Sequence, residues 1–229
     1  MTQNSLLRHP PLTLTKSHVA QEIMVTNFFG IQEVATHFDV YHTPLEKEVL
    51  KEVPWSVEVL ESHKDDFLLV AGYPIAIRSI FNLYPTLFYE TQLTGWGQRE
   101  PCVNQDHVGT RWYLIRKSPA EATLGECGWL RQRGLLSPNE EPVKACEMVY
   151  GIIGHFLATG ERLFEKTWAR CADLLEGGCC GDHAMVGCFE FGGPGCGFQD
   201  KRGGLHVTFS GVEGSLYKLG LASARIPGR

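Results

Sequence analysis

Fourteen of the chain's 25 glycines lie between Gly177 and Arg229. Each glycine inside a helix costs about 1 kcal/mol relative to alanine, so this density excludes long helices. It suits short strands, tight turns and backbones that approach one another closely. The stretch closes on Leu219-Gly220-Leu221-Ala222-Ser223-Ala224-Arg225. Just before it, Gly204 to Lys218 shows no hydrophobic period at all. Order usually fades toward a chain end. Here the end carries small residues that pack closely and an arginine able to pin them. The pattern predicts a rigid frame beneath a mixed-chemistry binding surface.

The first two thirds read differently. Residues 1 to about 17 are Pro- and Thr-rich and read as extended, and His18 to Leu60 is mostly helical in pattern. Thr43 is placed as an N-cap before Pro44, with Leu45, Val49 and Val53 at steps of four. Phe67 to Tyr73 is a short apolar run ended by Gly72 and Pro74, which predicts a buried strand. Ile75 to Tyr84 predicts a short helix, Phe88-Tyr89 and Arg111 to Arg116 predict strands, and Thr94 to Pro101 predicts a surface loop.

Ser137-Pro138-Asn139-Glu140 matches a capping box with proline at the first helical position, and Pro142 offers a second start. Glu140 and Glu141 then read as helix-start charges facing the macrodipole. The helix presents Val149, Ile152, Ile153, Phe156 and Leu157 as a core stripe, with Gly160 as its C-terminal cap. Leu163 to Leu175 continues as a second helix, or Thr167 to Ala172 forms a strand, since Thr and Trp favour strands. Helices first and a loop-rich β region last give an α+β fold. The division expected is a mainly helical extension over 1–60 and a ligand-binding domain over 61–229.

Composition bounds the function. The chain has 229 residues, 43% hydrophobic and 21% charged, enough to bury a core without staples. A net charge of -5 with no basic block argues against a nucleic-acid partner. No run of consecutive apolar residues reaches the length of a membrane span. Met1 to Pro11 lacks the charged-then-apolar order of a secretory signal, so eight cysteines are expected as reduced thiols rather than a disulfide framework.

Several segments match a known family. Arg111 to Lys117, Leu135 to Ala145, the 18-residue run Met148-Val149-Tyr150-Gly151-Ile152-Ile153-Gly154-His155-Phe156-Leu157-Ala158-Thr159-Gly160-Glu161-Arg162-Leu163-Phe164-Glu165, Val186 to Phe189, and Leu219 to Arg225 occur in its order. Together they resemble the variable proteins diversified by retroelements, the targets of diversity-generating reverse transcription in phages, archaeal viruses and small-genome bacteria and archaea. The resemblance covers about residues 66 to 225 and leaves the N-terminal 60 uncovered. It implies a C-type lectin fold of the formylglycine-generating-enzyme-like branch. It also implies a C-terminal segment, about 183–225 here, held by main-chain bonding while its ligand-contacting positions are substituted by adenine-directed mutagenesis.

Family members end in a Leu-x-Val segment, a run rich in Asn, Asp, Trp and Tyr, and Leu-Gly-Val/Leu-Ala-Ser-Ala-Arg. Leu205 to Leu219 spans that interval, with Val207 at the fixed Val. His206, Thr208, Phe209, Gly211, Val212, Glu213, Gly214, Ser215, Tyr217 and Lys218 then fall where the family varies, as do Met185 and Cys188 upstream. Ser210 departs from the usual aromatic, and Glu190 to Gly203 is longer than the family's link. The implied ligand is a variable macromolecule, a protein above all, bound without cofactor or catalysis in a cytoplasmic or virion-associated setting. Aromatic Phe209 and Tyr217 beside small polar residues also have the chemistry of a paratope.

The alternative is a Cys-rich enzyme or zinc-binding protein on the same fold branch. Cys179, Cys180, His183 and Cys188, with Cys171 and Cys196 nearby, supply enough soft ligands for zinc, but in irregular spacing without paired knuckles. Small buried thiols fit that spacing better. No nucleophile elbow, phosphate-cradling loop or His-Glu-x-x-His motif is present. His155 reads as a satisfied core histidine, Arg162, Leu163, Phe164 and Trp168 as core packing, and Arg225 as an anchor through charge-assisted bonds.

Overall fold

The computed structural model describes residues 13–89, 96–105, 107–123, 129–165, 167–174, 183–187, 204–208 and 218–227. Its helices, numbered in chain order, are α1 (Ser17–Met24), α2 (Ile31–Phe38), α3 (Pro44–Val49), α4 (Val57–His63), α5 (Ile77–Leu83), α6 (Pro101–Asn104), α7 (Trp129–Gly134) and α8 (Ala145–Thr159). The strands are β1 (Thr15–Lys16), β2 (Phe28–Phe29), β3 (Glu52–Val53), β4 (Phe67–Ala71), β5 (Trp112–Arg116) and β6 (Ala120–Thr123). They continue with β7 (Glu140–Pro142), β8 (Thr167–Leu174), β9 (His183–Gly187), β10 (His206–Thr208), β11 (Lys218–Leu221) and β12 (Ser223–Arg225). The fold is α+β.

Two five-stranded sheets carry the structure, in the orders β2-β4-β5-β12-β7 and β10-β9-β8-β11-β6, beside a two-stranded ribbon of β1 and β3. Helix α8 contacts strands of both sheets and is buried on all sides from Ala145 to His155. Its Gly151 lies so close to the first sheet that a Cβ would stand 3.0 Å from Ile115 Cδ1. The other side of that sheet meets the N-terminal elements. Strand alternation sends Phe28 toward Trp112, with ring centroids 5.6 Å apart, and Phe29 toward Tyr150 of α8. Trp112 Nε1 also donates to Leu50 O at 3.0 Å.

Residues 13–60 are mainly helical and share one core with the remainder. Ala20, Met24, Val34, Phe38 and Leu60 belong to the same buried cluster as Leu114 and Val149, and β2 is a strand of the first sheet. The expected Thr43 cap is present, accepting from Glu46 N while Glu46 Oε2 accepts from Thr43 N. The step-of-four stripe is not a core stripe, however. Leu45 and Val49 are exposed, and only Val53, already in β3, is buried.

Pro142 pairs with Ser223 in β12, so neither proposed helix start is used. Ser137 Oγ instead accepts from Asn139 N, and Glu140 to Pro142 extends into the first sheet. Glu140 and Glu141 are therefore strand residues, and α8 starts at Ala145 with Lys144 N donating to Glu147 Oε2 at 3.0 Å. Gly160 closes α8 at φ 76°, the left-handed cap expected of it. The choice after it falls to a strand. Thr167 to Leu174 forms β8 because β11 and β9 pair with it on either side.

The chain crosses between sheets at Ala222, the single residue separating β11 from β12. Ala222 N donates to Arg170 O at 2.9 Å and Ala222 O accepts from Val143 N at 3.2 Å. The small residues of the closing segment allow this close crossing. Ala222, Ser223 and Ala224 are all buried.

Candidate ligand-binding face

Each strand of the second sheet sends alternate side chains to opposite faces, and the register sorts them into rows. Facing α8, Val207, Val186, Ala169 and Gly220 form one cross-strand row. On the other face His206, Gly187, Trp168 and Leu219 form a second row. Next to it runs a third of Thr208, Met185, Arg170, Leu221 and Ala120. Met185, His206 and Thr208, expected to vary, therefore share the face that looks away from α8. Leu205 and Val207, expected to be fixed, turn into the core, at 0% and 1% exposure.

Gly187 makes the second row possible. Its φ of 149° and a Cβ position only 2.3 Å from Thr167 O leave no room for any side chain. The gap between its neighbours lets the Trp168 and His206 rings meet edge to face, with centroids 5.6 Å apart. On the far side Tyr89 stacks on His206 at 4.4 Å. Tyr89 is fixed through its backbone, its N–H donating to Leu205 O at 3.1 Å, beside a parallel bridge from Phe88 to Leu205.

The three rings are buried together, so His206 and Met185 lie under the surface rather than on it. Thr208 is half-buried. Burial pulls the His206 imidazole down to about 4, which leaves it a neutral aromatic group at neutral pH. Lys218 enters β11 paired with Thr167. Cys188, Phe209, Gly211, Val212, Glu213, Gly214, Ser215 and Tyr217 lie outside the described residues.

Helix α7 borders the same face. Gln132 is buried, donates from Nε2 to Leu219 O at 3.2 Å and accepts from Arg170 Nη1 at 3.0 Å. Trp129 stacks on His183 at 3.7 Å, and His183 Nδ1 bonds Cys171 O at 3.0 Å. Sequence reasoning missed Tyr89, Trp129 and Gln132. Their role depends on distant pairings, and only the aromatic character of Tyr89 and Trp129 hinted at it. Trp168 is buried as expected, on this side of the sheet and paired with Leu219, whereas Arg162, also expected in the core, is exposed with its guanidinium over Phe156.

The arrangement brings three packed rings, the Arg170 guanidinium and the Gln132 amide together on one side of the sheet. Among the described residues no three His, Cys, Asp or Glu side chains gather where a metal ion would sit. Cys171 is fully buried, and burial pushes its thiol well above the ordinary value, away from the thiolate that metal binding or attack requires. His155 is buried on α8 and bonds Glu161 Oε2 at 2.7 Å, with burial lowering its pKa against the pull of that carboxylate.

No protein-family model, no curated protein and no solved structure matches this chain. No helix among the described residues is long and apolar enough to cross a membrane.

Proposed function

We propose that this chain is a non-enzymatic binding protein with a C-type lectin fold, whose C-terminal surface is diversified by retroelement mutagenesis to engage variable protein ligands. One observation carries the reading. Strand alternation in β10 divides the frame residues Leu205 and Val207 from His206 and Thr208, and cross-strand register brings Met185 to the side of the latter two. A surface built to change needs this separation. Of the three outward residues, Thr208 is half-buried and open to replacement, while His206 and Met185 are buried on that face and accept only replacements that still pack.

The closing segment supports the same reading. Leu221 and Ala222 are fixed by pairing in the second sheet and by backbone bonds to Arg170 and Val143. Ser223 to Arg225 are held as the fourth strand of the first sheet. The interval between β10 and β11 is thus anchored at both ends, as a replaceable contact segment requires.

Sequencing the gene and its flanks across natural isolates tests the proposal. The expected result is a near-copy of the coding segment for residues 183–225 beside a reverse transcriptase gene, differing mainly at adenines. Differences should fall in the codons for residues 206, 208, 209, 211–215, 217 and 218, with 185 and 188 upstream. Differences spread evenly over the codons for Leu205, Val207, Leu219 and Arg225 would contradict it.

A further inference from the structure

Helix α3 buries none of its side chains. Leu45 is 77% exposed and Val49 is 54% exposed, and the two stand one turn apart on the same helix face. Leu14, 48% exposed, and Val49 together line a cleft of about 430 Å³ whose apolar wall is completed by Pro54 and Trp112. A protruding leucine and a cleft able to receive it therefore lie side by side on one surface.

We infer that a second copy of the chain seats on this face, forming a two-fold dimer in which each Leu45 enters the cleft beside the partner's Val49. A two-fold interface must be self-complementary, and an adjacent knob and hole satisfy that condition. The charges fit the same occupant. Around the cleft Glu46, Glu48 and Glu52 stand against Lys47, Lys51 and Arg111, a balanced set in which an antiparallel copy sets Lys47 against Glu52 and Glu48 against Lys51. A strongly basic or acidic partner finds no net charge there to attract it. The Lys51–Glu48 contact at 3.3 Å is between side chains about 70% exposed, so little holds it against exchange for a pair across the interface.

The position of α3 gives the dimer a consequence. It lies on the N-terminal side of the first sheet, whereas the outer face of the second sheet lies beyond α8. A pair joined through α3 presents two such faces outward, and a ligand with repeated sites gains avidity from both.

Sedimentation equilibrium of the full chain over a series of concentrations tests the dimer. Wild type is expected at twice the chain mass, and Leu45→Glu or Val49→Glu should weaken the dimer at least about tenfold. Both positions are exposed, so circular dichroism and melting of the monomer should be unchanged. Leu45→Ala removes the knob without adding charge and keeps the test decisive if a Glu variant fails to fold. Leu130→Glu, at an 81% exposed position on α7, should leave the dimer intact. A wild type monomeric throughout, or a dimer that survives both α3 substitutions, overturns the inference. So does a dimer lost in Leu130→Glu alone, or a monomer that melts lower on Leu45→Glu, which would mean that another part of the chain covers α3.

Discussion

Arg225 Nη1 donates to His63 Nε2 at 2.8 Å, joining the closing segment to the end of α4 across 162 residues of sequence. A guanidinium has no acceptor, so His63 must accept at Nε2 and carry its proton on Nδ1, which bonds Val59 O at 2.9 Å. Two strands of the first sheet complete the anchor. Glu140 Oε2 accepts from Ser223 Oγ at 2.8 Å and lies 3.7 Å from Arg116 Nε. Burial draws the Arg225 guanidinium below its ordinary pKa, and Glu140 opposes that effect.

This anchor should be measurable as coupling. Arg225→Ala and His63→Ala are each expected to destabilise by about 1–3 kcal/mol, and the double variant by less than their sum. Tyr217→Ala, at a proposed contact position, should leave stability nearly unchanged. Chemical denaturation of wild type and the four variants checks it. Additive losses at 225 and 63, or a loss at 217 equal to that at 225, would contradict the assignment.

His206 predicts a pH response. Its folded pKa, about 4, lies below the ordinary 6.5, so the unfolded chain binds the proton more tightly. Stability is then complete above pH 6.5 and falls as pH drops from there toward 4. A difference of that size corresponds to roughly 3 kcal/mol. His155, also lowered by burial, adds to the loss in the same direction. His206→Phe keeps a ring against Tyr89 and removes the titration. Its melting temperature should therefore fall less than that of wild type between pH 7 and pH 4.5, and parallel curves would sink the assignment.

The two glycines with special backbone geometry should differ in cost. At Gly160 the left-handed φ is the only obstacle, because nothing lies within 4 Å of an added Cβ. Gly160→Ala should cost about 1 kcal/mol. At Gly187 a Cβ meets Thr167 O at 2.3 Å and its backbone φ also disfavours a side chain. Gly187→Ala should cost several times more, on the order of 3 kcal/mol, and spoil the Trp168–His206 contact. Urea denaturation ranks them, and equal losses would place no strain at Gly187.

Local signals carried much of this fold. The Thr43 cap, the buried run from Phe67 and the Gly160 cap of α8 all act within one or two turns of chain and are found. The expected stripe of α8 is replaced by burial on every side, with Phe156 and Leu157 only half-buried. What failed was decided by partners far away in sequence. Ser137-Pro138 is a sound helix start until Pro142 pairs with Ser223. For Thr167 to Ala172, where the sequence leaves helix and strand both open, the strand is found because β11 arrives beside it. Leu45 and Val49 have core spacing, but among the described residues no element covers α3.

The candidate face was legible in the same uneven way. The inward placement of Leu205 and Val207 follows from strand alternation once β10 is known to pair with β9, although the run itself shows no hydrophobic period. The burial of His206 beneath Tyr89 and Trp168 does not, because three separate segments must meet to produce it.

The division between a fixed frame and replaceable contacts is tested most directly by two libraries assayed for cooperative thermal unfolding. One randomises residues 208, 209, 211–215, 217 and 218, and the other randomises Leu205, Val207, Leu219 and Leu221. Most members of the first should unfold cooperatively near the wild-type temperature, and few of the second should fold. Similar fractions of folded members in the two libraries would contradict the account.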